Sequence, residues 1–317
     1  MTNLSASNLT NISQATTNIT IDGEALNVPL KVTYIITIIF NTVTCPFTVA
    51  LNVLVNTAVK RRARLQSYAN ILLACLAVTD ALTGLLVQPT YIILRIFQVL
   101  GGINTDIVYD LHNMFLVAVT LSSALHLMLV TCERLIAIKY TFEYPYLVTA
   151  LNIKVAVTGF WVLALCCTIL RRPSVNQLFN DGMGEKIANA AIVVVIFSCI
   201  VFTVMSYAIL YKETTHQQNR IKTQQPLQEE VERFLKEKKA LKTTVYVIGA
   251  VLLCFSPGAV LTVLSDINKL NIAYSSPWII TIVMLNSLLN PLVYCWRQKE
   301  MRQFVFQLST AAVANVS

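Results

Sequence analysis

Seven long apolar stretches alternate with short polar segments along the chain, and each is about as long as the 20 residues that a helix needs to cross a bilayer. These stretches cover about residues 31–59, 68–94, 108–138, 153–170, 187–211, 243–265 and 276–296. The pattern predicts an all-α membrane protein, built as a seven-transmembrane helix bundle. We divide the chain into an amino-terminal tail (1–30), the membrane domain (31–296) and a tail (297–317) that contains a short amphipathic helix.

Composition supports this class, because 56% of the 317 residues are hydrophobic and only 13% are charged. In soluble domains, about a quarter of all residues are charged. Basic residues follow the first span at Lys60, Arg61 and Arg62, whereas Lys31 alone precedes it. By the positive-inside rule, the amino terminus is extracellular. The net charge of +8 therefore reflects topology, and we expect no nucleic-acid partner.

The polar amino-terminal tail contains several acceptor motifs for N-glycosylation, in which Asn is followed two residues later by Ser or Thr. The acceptor residues are Asn3, Asn8, Asn11 and Asn18. Glycosylation requires the lumenal face, so these motifs agree with an extracellular amino terminus. We expect a glycoprotein that crosses the membrane several times.

The seventh span contains an unusual group of polar residues in an otherwise apolar run. They are Asn286, Ser287 and Asn290, followed by Pro291. In lipid each unpaired polar group costs several kcal/mol, so these side chains need partners inside the protein. The ring of Pro291 should also clash with the carbonyl of Ser287, which predicts a bend or break in the helix.

Asp80 is the only acidic residue near the middle of a predicted span, which makes it a functional candidate. Polar residues at compatible depth are expected to surround it: Asn52, Ser123, Asn286, Ser287 and Asn290. Two interpretations stay open. One is a structural hydrogen-bond cluster, and the other is a hydrated cavity that binds a small cation such as sodium through oxygen ligands. The three histidines lack ligand spacing, so we expect no other metal site and no cofactor.

The inner end of the third span contains the charged pair Glu133–Arg134. The pair could be an interfacial anchor. A carboxylate, Glu237, also occurs at the inner end of the sixth span, 20 residues before Pro257, so a change of angle at that proline would move Glu237 by several ångströms. Phe255 precedes this proline. We expect a latch between the third and sixth spans.

Taken in order, the acidic-Arg pair, the aromatic-X-Pro of the sixth span and the Asn-Pro-X-X-Tyr of the seventh resemble a class A, rhodopsin-like, G-protein-coupled receptor. The resemblance implies a plasma-membrane receptor, not an enzyme, that binds an extracellular ligand and activates heterotrimeric G proteins by outward movement of the sixth helix. Arg134 would meet the G protein after release from Glu133 and Glu237. Tyr207 and Tyr294 would hold the open state. The polar residues around Asp80 would form the sodium pocket of the resting state.

Phe255 would be the ligand-sensing aromatic of this family, above Pro257. Some positions depart from the family pattern. Tyr109 replaces the usual cysteine of the third span, and Cys199 replaces the usual proline of the fifth. These departures resemble the group of melanocortin, lysophospholipid, cannabinoid and adenosine receptors. An opsin is rejected because Met284 stands near the level of the required lysine, and an amine receptor is disfavoured because Leu116 replaces an acid.

Polar residues at the outer ends of the spans are the candidate ligand contacts: Gln88, Arg95, Asp110, His112 and Asn113. Their mixed charge favours a polar or zwitterionic ligand, and a lipid agonist stays open. A seven-span ion-coupled transporter and a non-signalling decoy receptor are the alternative functions. No internal repeat supports the transporter. The Glu133–Arg134 pair of signalling receptors is present in this sequence, which disfavours the non-signalling decoy.

After the seventh span, apolar residues recur at helical spacing and polar residues fill the opposite face. The apolar stripe consists of Met301, Phe304, Val305 and Leu308. This pattern predicts a short helix lying on the inner leaflet, in contact with membrane lipid.

Overall fold

The computed structural model describes residues 27–101, 104–170, 183–223 and 273–304, together with separate short pieces between 228 and 256. Six helices within these residues are long and apolar enough to cross a membrane: Val28–Arg61, Tyr68–Leu100, Asp106–Lys139, Ala150–Leu170, Val194–Asn219 and Ser276–Arg297. They correspond to the first five predicted spans and the seventh. The predicted sixth span lies largely outside the described residues. No strand occurs in the described ranges, so the predicted all-α membrane bundle is confirmed.

Two helices are longer than the apolar runs that predicted them. The second span continues to Leu100, beyond the predicted end near residue 94. The fifth helix covers Met183–Thr223, well past the predicted end near residue 211. Helical backbone hydrogen bonds do not require an apolar surrounding, so hydropathy reports where lipid ends and not where a helix ends.

The second span is not a uniform α-helix. A π-helical segment, Thr83–Val87, separates the α-helices Tyr68–Leu82 and Gln88–Leu100. Pro89 is the second residue after this segment, and a proline inside a helix lacks a donor and clashes with the carbonyl four residues earlier. The wider π turn is one way in which helices accommodate such a disruption. The sequence analysis did not predict this segment.

The first and second spans pack closely at Gly84. A Cβ atom at this position would lie 2.6 Å from Cγ2 of Val49 and 3.2 Å from the carbonyl oxygen of Cys45. The Cys45 thiol donates to the carbonyl of Gly84 at 3.1 Å. The absence of a side chain at Gly84 therefore sets how near the two helices can approach.

The third span, Asp106–Lys139, packs against the second, fourth and fifth spans, and the first span packs against the second and seventh. The main apolar core lies toward the inner end and includes Leu76, Leu127 and Tyr294. The helix after the seventh span covers residues 299–304, and its Met301 and Phe304 are buried in this core. Its apolar stripe thus packs on protein at these two positions, whereas Val305 and Leu308 lie outside the described residues.

The helix Ser276–Arg297 runs through Pro291 without interruption, so it does not break there, and the bend stays a prediction. The carbonyl of Ser287, which Pro291 leaves without its helical donor, has another partner in the structure, described below. An external donor allows a helix to continue through a proline.

We expect that Gly84→Ala destabilises the protein by about 1–3 kcal/mol, because the added methyl group would overlap Val49 in a packed interface. The matched control is Gly159→Ala in the fourth span, where an added Cβ meets nothing within 4 Å. Thermal unfolding of both variants in lipid nanodiscs measures the difference. A loss of stability at Gly159 equal to that at Gly84 would contradict the close-packing argument.

Candidate functional site

A buried polar cluster lies at the middle of the bundle, between the first, second and seventh spans. The amide nitrogen of Asn290 donates to Oδ2 of Asp80 at 2.8 Å, and both residues are fully buried. The hydroxyls of Thr83 and Ser287 are 2.9 Å apart. The structure therefore brings Asp80 together with the polar residues of the seventh span. Thr83 was missed by the sequence analysis, although it lies one helical turn after Asp80 and on the same face.

Asn52 supplies the hydrogen bond that Pro291 removes. A proline at position 291 has no N–H for the carbonyl of Ser287, four residues earlier. The amide nitrogen of Asn52 donates to this carbonyl at 2.9 Å and also to the carbonyl of Thr48 at 2.9 Å. The first span thus satisfies a buried backbone acceptor of the seventh span.

Several side-chain oxygens of this cluster are buried and have no hydrogen-bond donor within the described residues: Oδ1 of Asn52, Asp80, Asn286 and Asn290. A cavity of about 20 Å³ lies next to part of this cluster, with Thr83, Ser123 and Asn286 in its wall. This volume is enough for one water molecule, which needs about 10–15 Å³. Amide, hydroxyl and carboxylate oxygens are the ligands that hard cations prefer. No group of three His, Cys, Asp or Glu residues with metal-binding geometry occurs in the described part of the chain.

A second polar group lies at the inner end of the third span. Nε of Arg134 and Oε2 of Glu133 are 2.6 Å apart, and both side chains are buried. The hydroxyl of Tyr144 donates to the other oxygen, Oε1, of Glu133 at 2.7 Å. Tyr144 begins the short helix Tyr144–Leu147 in the connection to the fourth span. The carboxylate of Glu133 therefore has a cation on one oxygen and a neutral donor on the other. The contact with Tyr144 was not predicted from the sequence.

Packing at this end brings the fifth span and Leu241, which lies just before the predicted sixth span, against the third span. Ile138, Leu210 and Leu241 form a buried apolar cluster, and Nε2 of Gln217 donates to the carbonyl of Ile138 at 3.2 Å. Tyr207 packs against this cluster. Tyr294 is fully buried, and its hydroxyl has no hydrogen-bond partner within the described residues.

Some predicted site residues lie outside the described residues, and their predictions stay untested: Glu237, Phe255, Pro257, Asn3, Asn8, Asn11 and Asn18.

Among the candidate ligand contacts, Gln88 does not face an outer cavity. Its amide nitrogen lies 3.0 Å from the hydroxyl of Thr44 and 3.3 Å from Oδ1 of Asn41, both in the first span. The expectation for Gln88 therefore needs correction. The rotation of the second span follows from its π-helical segment and its packing, which the apolar pattern alone does not specify.

Arg95 and His112 lie on two sides of the Tyr91 ring. The Arg95 guanidinium carbon is 5.1 Å from the centroid of this ring, and the His112 ring is 5.6 Å from it. Both residues are buried. Asp110 is exposed and Asn113 is partly buried, so these two candidates lie in a different environment.

A larger cavity of about 240 Å³ lies between the third, fifth and seventh spans. Its wall is almost wholly aliphatic, with residues such as Leu116, Ile196 and Ile280, and Thr120 is its one polar lining residue within the described ranges. The sequence analysis placed the outer cavity between the second, third and seventh spans. The fifth span contributes instead of the second, because the second span turns its polar face toward the first.

The arrangement is that of a polytopic helical membrane protein with a buried polar centre, an outer cavity and a buried ion pair at the inner end. Residues 51–294 match the family described as 7 transmembrane receptor (rhodopsin family). The chain belongs to this family, and it is therefore a class A G-protein-coupled receptor, as the sequence motifs predicted.

Relatives within the family include three differently named receptors. The chain is 26% identical to the histamine H2 receptor of Rattus norvegicus over 281 residues, which cover 82% of this chain and 75% of the relative. It is 25% identical to the adenosine receptor A2a of Canis lupus familiaris over 284 residues, covering 80% and 66%. Over 65 residues it is 32% identical to the lysophosphatidic acid receptor 3 of Rattus norvegicus, covering 20% and 18%. Placement in the predicted subgroup stays a prediction.

Asn52→Ala should destabilise the protein by about 1–3 kcal/mol, because the Ser287 carbonyl would be buried without a donor. Asn56→Ala is the matched control, since the Asn56 amide donates only to the carbonyl of Asn52 within its own helix, at 3.1 Å. Thermal unfolding of the purified variants is the measurement. If both variants lose the same stability, the hydrogen bond between Asn52 and the Ser287 carbonyl does not explain the destabilisation by Asn52→Ala.

Proposed function

We propose that the protein is a ligand-activated receptor of the plasma membrane, with its amino terminus outside, that catalyses nucleotide exchange on heterotrimeric G proteins. The observation that supports this proposal most strongly is the buried Glu133–Arg134 pair, in which the hydroxyl of Tyr144 donates to the second oxygen of Glu133. If Arg134 lost the carboxylate of Glu133, its guanidinium would be able to bind another partner. Family membership makes a G protein that partner.

The resting state is stabilised by two sets of contacts at the inner end. One is the ion pair itself, and the other is the apolar cluster of Ile138, Leu210 and Leu241, which joins the third and fifth spans to the predicted sixth. Outward movement of the sixth helix would separate Leu241 from this cluster and expose Arg134. An agonist then needs only a higher affinity for the open state than for the closed state. Glu237 would add a second carboxylate to this latch.

The buried hydroxyl of Tyr294 is suited to a role in the open state. It has no hydrogen-bond partner in the closed arrangement, within the described residues, although burial of an unpaired hydroxyl is costly. An arrangement in which Tyr294 and Tyr207 share a water molecule would relieve this cost. The closed state therefore contains a local penalty that opening removes.

Neutralising the carboxylate should favour the open state. We expect Glu133→Gln to raise receptor-dependent nucleotide exchange, up to about tenfold where the lost charge interaction is worth about 1.4 kcal/mol. In the double variant Glu133→Gln with Arg134→Ala, nucleotide exchange should fall to the rate seen in membranes without receptor. Both variants are compared by the rate of nucleotide exchange on a co-expressed G protein, normalised to surface expression of the receptor.

Arg64→Ala is a control for loss of positive charge at the inner face, because Arg64 is exposed. The coupling role of Arg134 would be refuted if the double variant exchanged nucleotide as fast as Glu133→Gln alone. Such a result would favour a receptor that binds ligand without this route of signalling.

We propose further that the polar cluster around Asp80 binds a sodium ion in the closed state. The support is chemical: oxygens of Asp80, Asn286 and Asn290 are buried without donors among the described residues, and Asn286 lines a small cavity. Asp80, Ser123 and these amides would hold the ion. A bound cation would neutralise the buried carboxylate, and water around it would satisfy the remaining oxygens.

Sodium should stabilise the purified receptor against thermal unfolding relative to choline at equal ionic strength. At a concentration ten times its dissociation constant, the gain is about 1.4 kcal/mol. Asp80→Asn should remove this gain, whereas Asp106→Asn, a change at an exposed acid, should retain it. An undiminished sodium effect in Asp80→Asn would place the ion elsewhere.

A further inference from the structure

Arg95, at the outer end of the second span, is a buried cation without an anion. Its side chain is 3% exposed, and no carboxylate lies within ion-pair distance of it among the described residues. One terminal nitrogen, Nη1, donates to Oε1 of Gln98 at 2.8 Å, and Nε has no partner. Charged side chains are almost never fully buried unless they are paired. The guanidinium therefore has no anionic partner among the described residues.

Two tyrosine rings hold the guanidinium in place. Its carbon lies 4.4 Å from the centroid of the Tyr34 ring and 5.1 Å from that of Tyr91. The hydroxyl of Tyr91 is itself fixed, since it lies 3.1 Å from the hydroxyl of Thr37 and 3.2 Å from the carbonyl oxygen of Pro277. Aromatic faces favour a cation but satisfy none of its N–H donors. Arg95 is thus prepositioned, and its Nε edge is left for an acceptor.

A second buried nitrogen without a partner lies near the same ring. Nδ1 of His112 is 3.2 Å from the hydroxyl of Thr90, but Nε2 has no hydrogen-bond partner in the described part of the chain. The His112 ring is 5.6 Å from that of Tyr91. Two orphaned polar groups around one tyrosine are unusual in a folded protein, because buried polar atoms are normally paired. They mark a place where an external polar group fits.

The aliphatic cavity of about 240 Å³ is linked to Tyr91 through two residues of its wall. Leu116 and Ile280 line that cavity and also pack in the apolar cluster that contains Tyr91. His112 lies four residues before Leu116 on the third span, about 6 Å along the helix axis. Leu116 and Ile280 therefore connect the aliphatic cavity with Tyr91, on whose ring Arg95 packs.

We infer that the ligand of this receptor is an amphipathic acid. Its carboxylate or phosphate pairs with Arg95, and its hydrocarbon part fills the aliphatic cavity. This inference rests on the proposed receptor function and specifies the chemical class of the ligand. The lack of an acid at Leu116 agrees with it, because a cationic ligand would find no counter-charge in that cavity.

The experiment uses the full chain in lipid nanodiscs and four probes with the same eight-carbon tail: octanoate, octyl phosphate, 1-octanol and octylamine. Thermal unfolding reports binding of each probe to the wild-type protein. We expect octanoate or octyl phosphate, or both, to raise the unfolding midpoint well above the effect of 1-octanol, and octylamine to have no larger effect than 1-octanol. The relative effect of the two acids distinguishes a carboxylate from a phosphate ligand.

Arg95→Gln should weaken binding of the acids about tenfold or more, since a charge-assisted pair is lost, and leave the effect of 1-octanol unchanged. Arg302→Gln, a change at an exposed arginine on the inner side, is the matched control and should change none of the four effects. Arg95→Lys keeps the charge and should retain part of the acid effect.

Equal stabilisation by the acids and 1-octanol in the wild-type protein would overturn the inference, and so would stabilisation by no probe. These wild-type comparisons need no variant, so misfolding of Arg95→Gln cannot obscure the answer. Thermal stabilisation also needs no G protein. A negative result here contradicts the ligand class, whereas only the Glu133 and Arg134 experiment decides on coupling.

Discussion

The carbonyl of Ser287 is the backbone group on which the centre of this bundle depends. Pro291 removes its helical donor, and in a membrane interior no water is available to replace that donor. The amide of Asn52 does so at 2.9 Å, which ties the first span to the seventh at one depth and in one rotation. Once this register is fixed, Asn290 meets Asp80 and Ser287 meets Thr83. An apparent defect in one helix thus becomes the contact that aligns three helices.

The two buried arginines show how context decides what a buried charge does. Arg134 has Glu133 at 2.6 Å, and that carboxylate has Tyr144 on its other oxygen, so the inner charge is compensated within the chain. Arg95 has two aromatic faces and one glutamine, but no anion among the described residues. A compensated pair that can be separated suits a switch, whereas an uncompensated charge that is held rigidly suits a binding site. The same side chain therefore supports different proposals at the two ends of the bundle.

Depth in the membrane could be predicted from the sequence, but helix rotation could not. Apolar length and charge placed Asp80, Asn290 and Asn52 at one level, and the structure brings them together. Gln88 faces the first span, where it contacts Asn41 and Thr44, and the π-helical segment Thr83–Val87 directly precedes it. Tyr144 was missed for another reason: it lies in a connecting segment, where no periodic pattern marks a buried partner. Such contacts depend on tertiary packing, which a single sequence specifies only indirectly.

The seventh span gives a physical route between the outer cavity and the inner end. Ile280 lines the cavity, and Tyr294, about 21 Å further along the helix axis, is buried in the inner core. A stiff helix could transmit a shift only if its middle has two stable arrangements, because packed interiors do not deform continuously. The polar cluster meets this condition better than an apolar interface would. Its orphaned oxygens and small cavity allow one set of partners with a cation or water present and another set after their loss. The polar cluster around Asp80 is therefore the part of this route in which two sets of buried partners are possible.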